Sequence, residues 1–302
     1  MAKPYDGDWV LRSVLFVPGH IEKMLHKAAG TKADCIVLDL EDAVPDEGKN
    51  VARSVARSFL DKANYPRKTV FVRVNSFETG LTEKDLEGVA CRAVHGFVYP
   101  WANSAEDIEK LDDRLGQIER NLDLPNGRFS VTAVIESPRG ILNAAAIAQA
   151  SSRMVGLIFG CEDYLAEMQG RHSVGEASLA MPRAQVAMAA RAANIEPIDA
   201  PYVRIHDLEG LRDFAETGRD LGMAGMCALT PGQIPVINEV YTPSEEEIQL
   251  AREILAATES EENSERGVFL AKDKFISPPT LKAARKTVAR YEAIRDLEAF
   301  YG

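Results

Sequence analysis

Acidic residues in this chain recur where apolar runs end. Val131–Gly140 reads VTAVIESPRG and closes on Glu136, while Met154–Asp163 reads MVGLIFGCED and breaks at Gly160 into Glu162 and Asp163. ADCIVLDLEDAV (33–44) carries Asp39, Glu41 and Asp42, and TVFVRVN (69–75) carries Arg73 and Asn75. Carboxylates gathered at one place repel unless they are protonated or bridged by a cation. A hard ion held by one or two carboxylates, waters and substrate oxygens fits Mg2+. Glu136 and one acid of the 162–163 pair are the candidate ligands, although acids beside a helix start, as at Ser137-Pro138, also serve as caps. Glu41 and Asp42 either belong to a solvated loop or hold waters or an arginine beside the ion. Arg73, inside an apolar run, either aims its planar fork at a substrate carboxylate or forms a salt bridge to Glu41 or Asp42. Pro18-Gly19 makes a tight turn, with His20 and Lys23 opening the next helix, an arrangement suited to an anion.

These residues need a scaffold that brings strand ends together. The apolar runs are SVLFVP (13–18), 33–44, 69–75, GFVYP (96–100), FSVTAVIES (129–137), 154–163, PIDAPYVRI (197–205) and MAGMCAL (223–229). Each has strand length, and helix-like segments such as KNVARSVARSFLDKA and SAEDIEKLDDRLGQIERNL lie between them. Strands buried on both faces and separated by helices mean parallel β/α units. Eight units predict an α/β fold, a (β/α)8 TIM barrel over 1–235, whose functional groups gather at the C-terminal strand ends. A C-terminal extension, 236–302, follows, packing on the barrel or on a neighbouring subunit. It comprises a helix opened by a Ser244–Glu247 capping box, the polar connector ATESEENSERG, a short hairpin or extended arm in VFLAKDKFISPP, and a final helix.

The whole chain narrows the function classes. With 302 residues, 46% of them hydrophobic, it can bury a large core; its net charge of −11 speaks against nucleic acid or an anionic membrane as partner. Four cysteines at 35, 91, 161 and 227 have no zinc or CxxC spacing, and Cys35 and Cys161, inside apolar runs, read as small buried thiols. The start MAKPYDGDWVLRS has no signal-peptide core and no run reaches membrane-spanning length, so a soluble, cytoplasmic protein is expected. Serine-hydrolase, dinucleotide-binding and P-loop motifs are missing.

RSVLFVPGH (12–20), CIVLDLEDAVPDEGKNVAR (35–53), VRVNS (72–76), AVIESPRGILNA (133–144), FGCEDY (159–164) and GQIPVINEVYTPS (232–244) together resemble the citrate lyase beta-subunit-like group. That group includes malyl-CoA and citramalyl-CoA lyases and belongs to the HpcH/HpaI aldolase superfamily. The resemblance implies a (β/α)8 barrel that binds Mg2+, assembles as a homotrimer or hexamer, and cleaves or forms a C–C bond beside a carboxylate. The substrate would be a small hydroxy acid, with or without a CoA thioester, and the product a 2-oxo acid such as glyoxylate or pyruvate. It places the metal ligands on Glu136 and Asp163 and the substrate-binding arginine on Arg73. Acyl-CoA contacts fall near Pro18, Gly19 and Lys23, and Gly160 and Glu162 join the substrate site. Some positions differ from the family pattern: Pro100-Trp101 replaces Pro-Lys, and Gly225-Met226 and Thr230-Pro231 replace Gly-Lys and His-Pro. On the C-terminal arm, Ser277 stands where the family carries a catalytic aspartate; Asp273 matches the preceding turn. A serine cannot act as a base near neutral pH without its own activator. Glu41, Asp42 or a metal-bound water is then the expected proton carrier, and a malyl-CoA-type thioesterase or a non-catalytic metal- and oxo-acid-binding protein is the alternative.

Overall fold

The eight apolar runs form strands because each is long enough to cross a barrel wall and leaves no polar face for water. In the computed structural model, which describes residues 9–62, 68–258, 269–271 and 274–301, they are β1 (Ser13–Pro18), β2 (Cys35–Asp39), β3 (Thr69–Arg73), β4 (Gly96–Tyr99), β5 (Ser130–Ile135), β6 (Met154–Phe159), β7 (Glu196–Asp199) and β8 (Gly225–Ala228). All pair in parallel and in chain order. Ser13, Val14 and Leu15 of β1 lie beside Met226, Cys227 and Ala228 of β8, which closes the barrel. Every residue of β2, β4, β5, β6 and β8 is buried, inward side chains filling the barrel and outward ones lying under helices. At the closing seam the backbones approach so closely that a Cβ on Gly225 would collide with the carbonyl of Leu11.

The helices are α1 (Glu22–Ala29), α2 (Lys49–Lys62), α3 (Thr82–Val89), α4 (Ala105–Asn121), α5 (Pro138–Gln149), α6 (Cys161–Glu167), α7 (Ala177–Ala192), α8 (Leu208–Asp220) and α9 (Ile234–Val240). Helix α2 is typical of them: Ala52, Ala56, Phe59 and Leu60 form one buried stripe at helical spacing. The barrel unit runs over Leu11–Tyr241, six residues beyond the expected boundary at 235. Ile234, Ile237 and Val240 are buried where α9 packs on β1 and β8, making α9 the helix of the eighth β/α unit.

A second unit begins at Thr242. Its helix α10 (Glu245–Ala256) has the expected capping box: Glu247 N–H donates to Ser244 Oγ (3.2 Å) and Ser244 N–H to Glu247 Oε2 (2.7 Å). The predicted hairpin is present as antiparallel β9 (Phe269–Ala271) and β10 (Lys274–Ile276), followed by α11 (Pro278–Tyr301). Val10 joins this unit by packing on Ile294 and Leu297, and Arg290 Nη1 donates to the carbonyl of Trp9 (3.3 Å). The polar connector beyond Thr258, and Asp273, lie outside the described residues. No helix among the described residues is long and apolar enough to cross a membrane.

Candidate active site

The C-terminal strand ends open on a cavity of about 450 Å3. Asp39, Asp42, Arg73, Glu136, Glu162 and Asp163 line it, against an apolar wall that includes Phe16, Val134, Ile158, Phe159 and Leu229. Five of the six strand-end acids singled out in the sequence therefore border one cavity, and Glu41 is not among the residues that line it.

Glu136 follows the last residue of β5 and is buried, 3% exposed. It is not the cap of α5: Ser137 takes that role, its Oγ accepting from Gly140 N–H (2.9 Å). The carboxylate instead accepts a 2.6 Å hydrogen bond at Oε1 from the backbone N–H of Trp101. Trp101 sits at φ +52°, a left-handed conformation that is costly for a bulky side chain. On the other side Gly160 lets β6 pass directly beneath Glu136; a Cβ there would stand 2.5 Å from Glu136 Cβ and 2.8 Å from Oε2. Burial pushes the Glu136 carboxyl up to about 7; the Trp101 N–H and Arg73 pull it down, and the charge of Asp163 pushes it up again.

Asp163 lies in the first turn of α6, just after β6, the strand that pairs with the β5 strand leading into Glu136. Its carboxyl is raised first by burial and then by Asp42, with Arg73 opposing. Glu162 also borders the cavity, but its Oε1 is engaged by His172 Nε2 at 2.8 Å. Two hard oxygen donors just beyond the ends of neighbouring strands, each raised in part by nearby negative charge, fit a divalent cation bound with waters and substrate oxygens.

Arg73 ends β3 and faces the cavity, but protein acids already hold its guanidinium. Nε and Nη2 form a two-pronged pair with Asp39 (2.8 and 2.6 Å), while Nη1 lies 2.8 Å from Glu41 Oε2 and 3.3 Å from Asp42 Oδ2. The salt-bridge alternative for Arg73 is thus realised, with Asp39 as the main partner. Burial would lower the Arg73 pKa, but Asp39, Glu41 and Asp42 outweigh it and keep the group charged. Glu41 is buried, and its Oε2 has no aligned hydrogen-bond donor despite the short ion pair. Burial pushes this carboxyl up to about 8, against the pull of Arg73.

A buried lysine holds this acidic loop in place. Lys49 Nζ donates to the carbonyls of Leu40 (3.0 Å) and Glu41 (2.8 Å) and to Asn75 Oδ1 (2.9 Å). Asn75 in turn donates through N and Nδ2 to Asp85 Oδ2, and Arg53 pairs with Asp85.

The other expected site residues divide. Pro18 lines the cavity, whereas Gly19 and Lys23 are not among the residues that line it. Gly19 serves close packing: its N–H donates to the Asp39 carbonyl (2.8 Å), and a Cβ would stand 2.7 Å from that oxygen. Lys23 is exposed on the first turn of α1. Gly160 lines the cavity, but its N–H is spent on the Ile135 carbonyl (3.0 Å), so its contribution is room rather than a donor. Ser277 lies in the second unit, its hydroxyl 3.0 Å from Thr280 Oγ1. Sequence reasoning missed the Trp101 N–H, because a backbone donor carries no residue-type signal. His172 also carried no chemical signal of its own, although acids ten positions before and four after it offered a hint.

Residues 12–231 match the family described as HpcH/HpaI aldolase/citrate lyase. A (3S)-malyl-CoA thioesterase from Cereibacter sphaeroides is 35% identical over 283 residues, 94% of this chain and 95% of that protein. Among solved structures, CitE from Mycobacterium tuberculosis in complex with magnesium, acetoacetate and coenzyme A is 30% identical, with a TM-score of 0.76 over 96% of this chain and 100% of its own. A citrate lyase beta subunit from M. tuberculosis complexed with oxaloacetate and magnesium is also 30% identical, with a TM-score of 0.65 over 78% of this chain and 98% of that one. Because the family match runs from Arg12 to Pro231 and takes in all eight barrel strands with their acidic ends, the chain belongs to the HpcH/HpaI aldolase/citrate lyase family.

Proposed function

We propose that the protein is a Mg2+-dependent carbon–carbon lyase that acts on a 3-hydroxy-acyl compound, as the free acid or the CoA thioester, and releases a 2-oxo acid such as glyoxylate or pyruvate. One observation carries this reading: Glu136, buried and pinned by a single backbone N–H, faces the same cavity as Asp163. Those two carboxylates would hold the ion. When bound, Mg2+ would supply Lewis-acid polarisation of the substrate's carboxylate and hydroxyl oxygens and offset the site's negative charge.

The chain's own residues supply the rest. Phe16, Val134, Ile158, Phe159 and Leu229 keep water from the acyl portion. Arg73, fixed by Asp39, presents positive charge at the mouth and can release Asp42, the most exposed of its partners, in favour of a substrate carboxylate. Because Asp39 already neutralises Arg73, Glu41 need not be ionised. Its carboxyl, raised to about 8 by burial against the pull of Arg73, suits it to carry a proton that Asp42 or water at the rim can relay. A homotrimer or hexamer in the cytoplasm, with the Ser277 arm near a neighbouring subunit's mouth, completes the reading as the family resemblance implies it.

A thioesterase is the second reading, favoured by the 35% identity to a malyl-CoA thioesterase over nearly the whole chain and by the serine at 277. A panel of malyl-, citramalyl- and related CoA esters, assayed with and without Mg2+ for both free thiol and oxo acid, separates the two. Oxo acid released only with Mg2+ supports the lyase. Free thiol without oxo acid establishes the thioesterase. Tight oxo-acid binding with no turnover identifies a binding protein and sinks both.

A further inference from the structure

Bordering the cavity stands a donor set of a different chemical kind. Cys161 Sγ, Glu162 Oε1 and His172 Nε2 all lie within 4.8 Å of one another. Cys161 and Glu162 open α6, and His172 comes from the loop between α6 and α7. We propose that these three side chains form a second cation site, selective for a borderline-soft ion such as Zn2+ and separate from the hard-ion site at Glu136 and Asp163.

The orientation of His172 argues for this most directly. Its Nδ1 lies 2.9 Å from Glu176 Oε2, which turns Nε2 toward Glu162 and Cys161. A histidine whose far nitrogen is held by a carboxylate is the usual second shell of a zinc-binding imidazole, since that bond fixes both tautomer and ring direction. The backbone goes out of its way to supply that carboxylate: Gly175 and Glu176 both adopt left-handed conformations, at φ 76° and 50°. For the non-glycine Glu176 this is a cost that needs a compensating role.

The donor chemistry separates the two sites. Thiolate, imidazole and carboxylate together suit Zn2+, with bonds of about 2.0–2.3 Å, whereas Mg2+ prefers oxygen alone. Cys161 Sγ lies 3.4 Å from Glu162 Oε1, close to the separation of two ligands on one ion, and the half-exposed Glu162 can swing to widen its 2.8 Å approach to His172. There is also room for a fourth, non-protein ligand. A second cavity of about 100 Å3 is bordered by Cys161, His172 and Glu176, and Cys161 and Pro201 border the main cavity as well. An ion here would sit at the edge of the substrate cavity.

Co2+ is the direct probe, because a cobalt–thiolate bond gives a charge-transfer band in the near ultraviolet that oxygen-only ligation lacks. Co2+ is titrated into the full-length protein under saturating Mg2+, and Zn2+ is then used to displace it. The band should appear, disappear in Cys161→Ser and persist in Glu136→Gln. His172→Gln, a change at a half-exposed position that leaves the core intact, should weaken Zn2+ by more than the roughly 10–100-fold that loss of an outer-shell partner costs, and Glu176→Gln by about that outer-shell amount. No band, a band that survives Cys161→Ser, or Zn2+ affinity unchanged in His172→Gln overturns the proposal. None of these readouts depends on turnover, so the lyase reading can fail while this site stands.

Discussion

Replacing Gly160 by alanine tests the site through a single methyl group. Gly160 has φ −100° and ψ 99°, a conformation alanine adopts freely, so the substitution brings no backbone strain of its own. The whole effect must come from collision. The added Cβ would stand 2.5 Å from Glu136 Cβ and 3.2 Å from Val134 Cγ1, where carbon atoms normally rest about 3.5–4.0 Å apart. Glu136 must therefore retreat by about 1 Å. Its 2.6 Å bond to the Trp101 N–H then lengthens toward the limit of a hydrogen bond, and the carboxylate leaves its position beside Asp163. Overpacking of this kind typically costs about 1–3 kcal/mol, a fall in Tm of about 2–4 °C per kcal/mol for a domain of this size. Mg2+ affinity, measured by calorimetry, should drop at least the roughly tenfold expected when even an outer-shell partner is lost. An alanine variant with parental Tm and parental Mg2+ affinity would refute both the packing argument and the assignment of Glu136 to the cation.

Arg73→Lys keeps the charge but cannot reproduce the two-pronged bond to Asp39; affinity for glyoxylate or pyruvate should fall at least ~10-fold by calorimetry, and parental affinity would make Arg73 purely structural. His95 accepts from Val70 N–H at Nδ1 (3.1 Å), and burial, followed by the charge of Arg128, lowers its pKa to about 4. Between that value and the ordinary 6.5 the unfolded chain takes up a proton that the folded one refuses, so stability falls as pH drops through this window, by up to about 1.4 kcal/mol per pH unit. In urea unfolding at pH 7 and pH 5, His95→Gln should show a shallower loss than the parent; an equal loss removes His95 from the account. Ser277→Asp restores a carboxylate at the arm position and should raise turnover of a CoA ester by ~10-fold or more, whereas an unchanged rate places the proton carrier elsewhere.

The barrel was readable because both-face burial writes itself into the chain: SVLFVP became β1 with no change of bounds, and the runs around Cys35, Thr69 and Ser130 contain their strands and extend past them by residues some of which, such as Phe129, Leu40 and Val74, stay buried in the adjoining loops. The acidic cluster at the strand ends was readable too, since Glu136, Glu162 and Asp163 follow buried runs and border the cavity there. Partner choice was hidden. An arginine at a strand end says that an anion is near, but whether the anion is Asp39 or a substrate depends on a β2–β3 register set by the whole barrel. Asp199 gives the same lesson in reverse: it ends β7 as Glu136 follows β5, yet it is fully buried and consumed by Arg183. Helix α9 was misplaced because its seven residues, IPVINEV, are too few to establish a helical period.

The chain has two tryptophans, and they fall one to each unit: Trp101 in the barrel, with its backbone on Glu136, and Trp9 beside the final helix through Arg290. The molecule thus carries an independent optical reporter for each half. With Trp9 changed to phenylalanine, emission follows cation loading and barrel melting; with Trp101 changed, it follows the C-terminal unit. Whether the two halves unfold together or in sequence can then be read from intrinsic fluorescence, without attaching a dye.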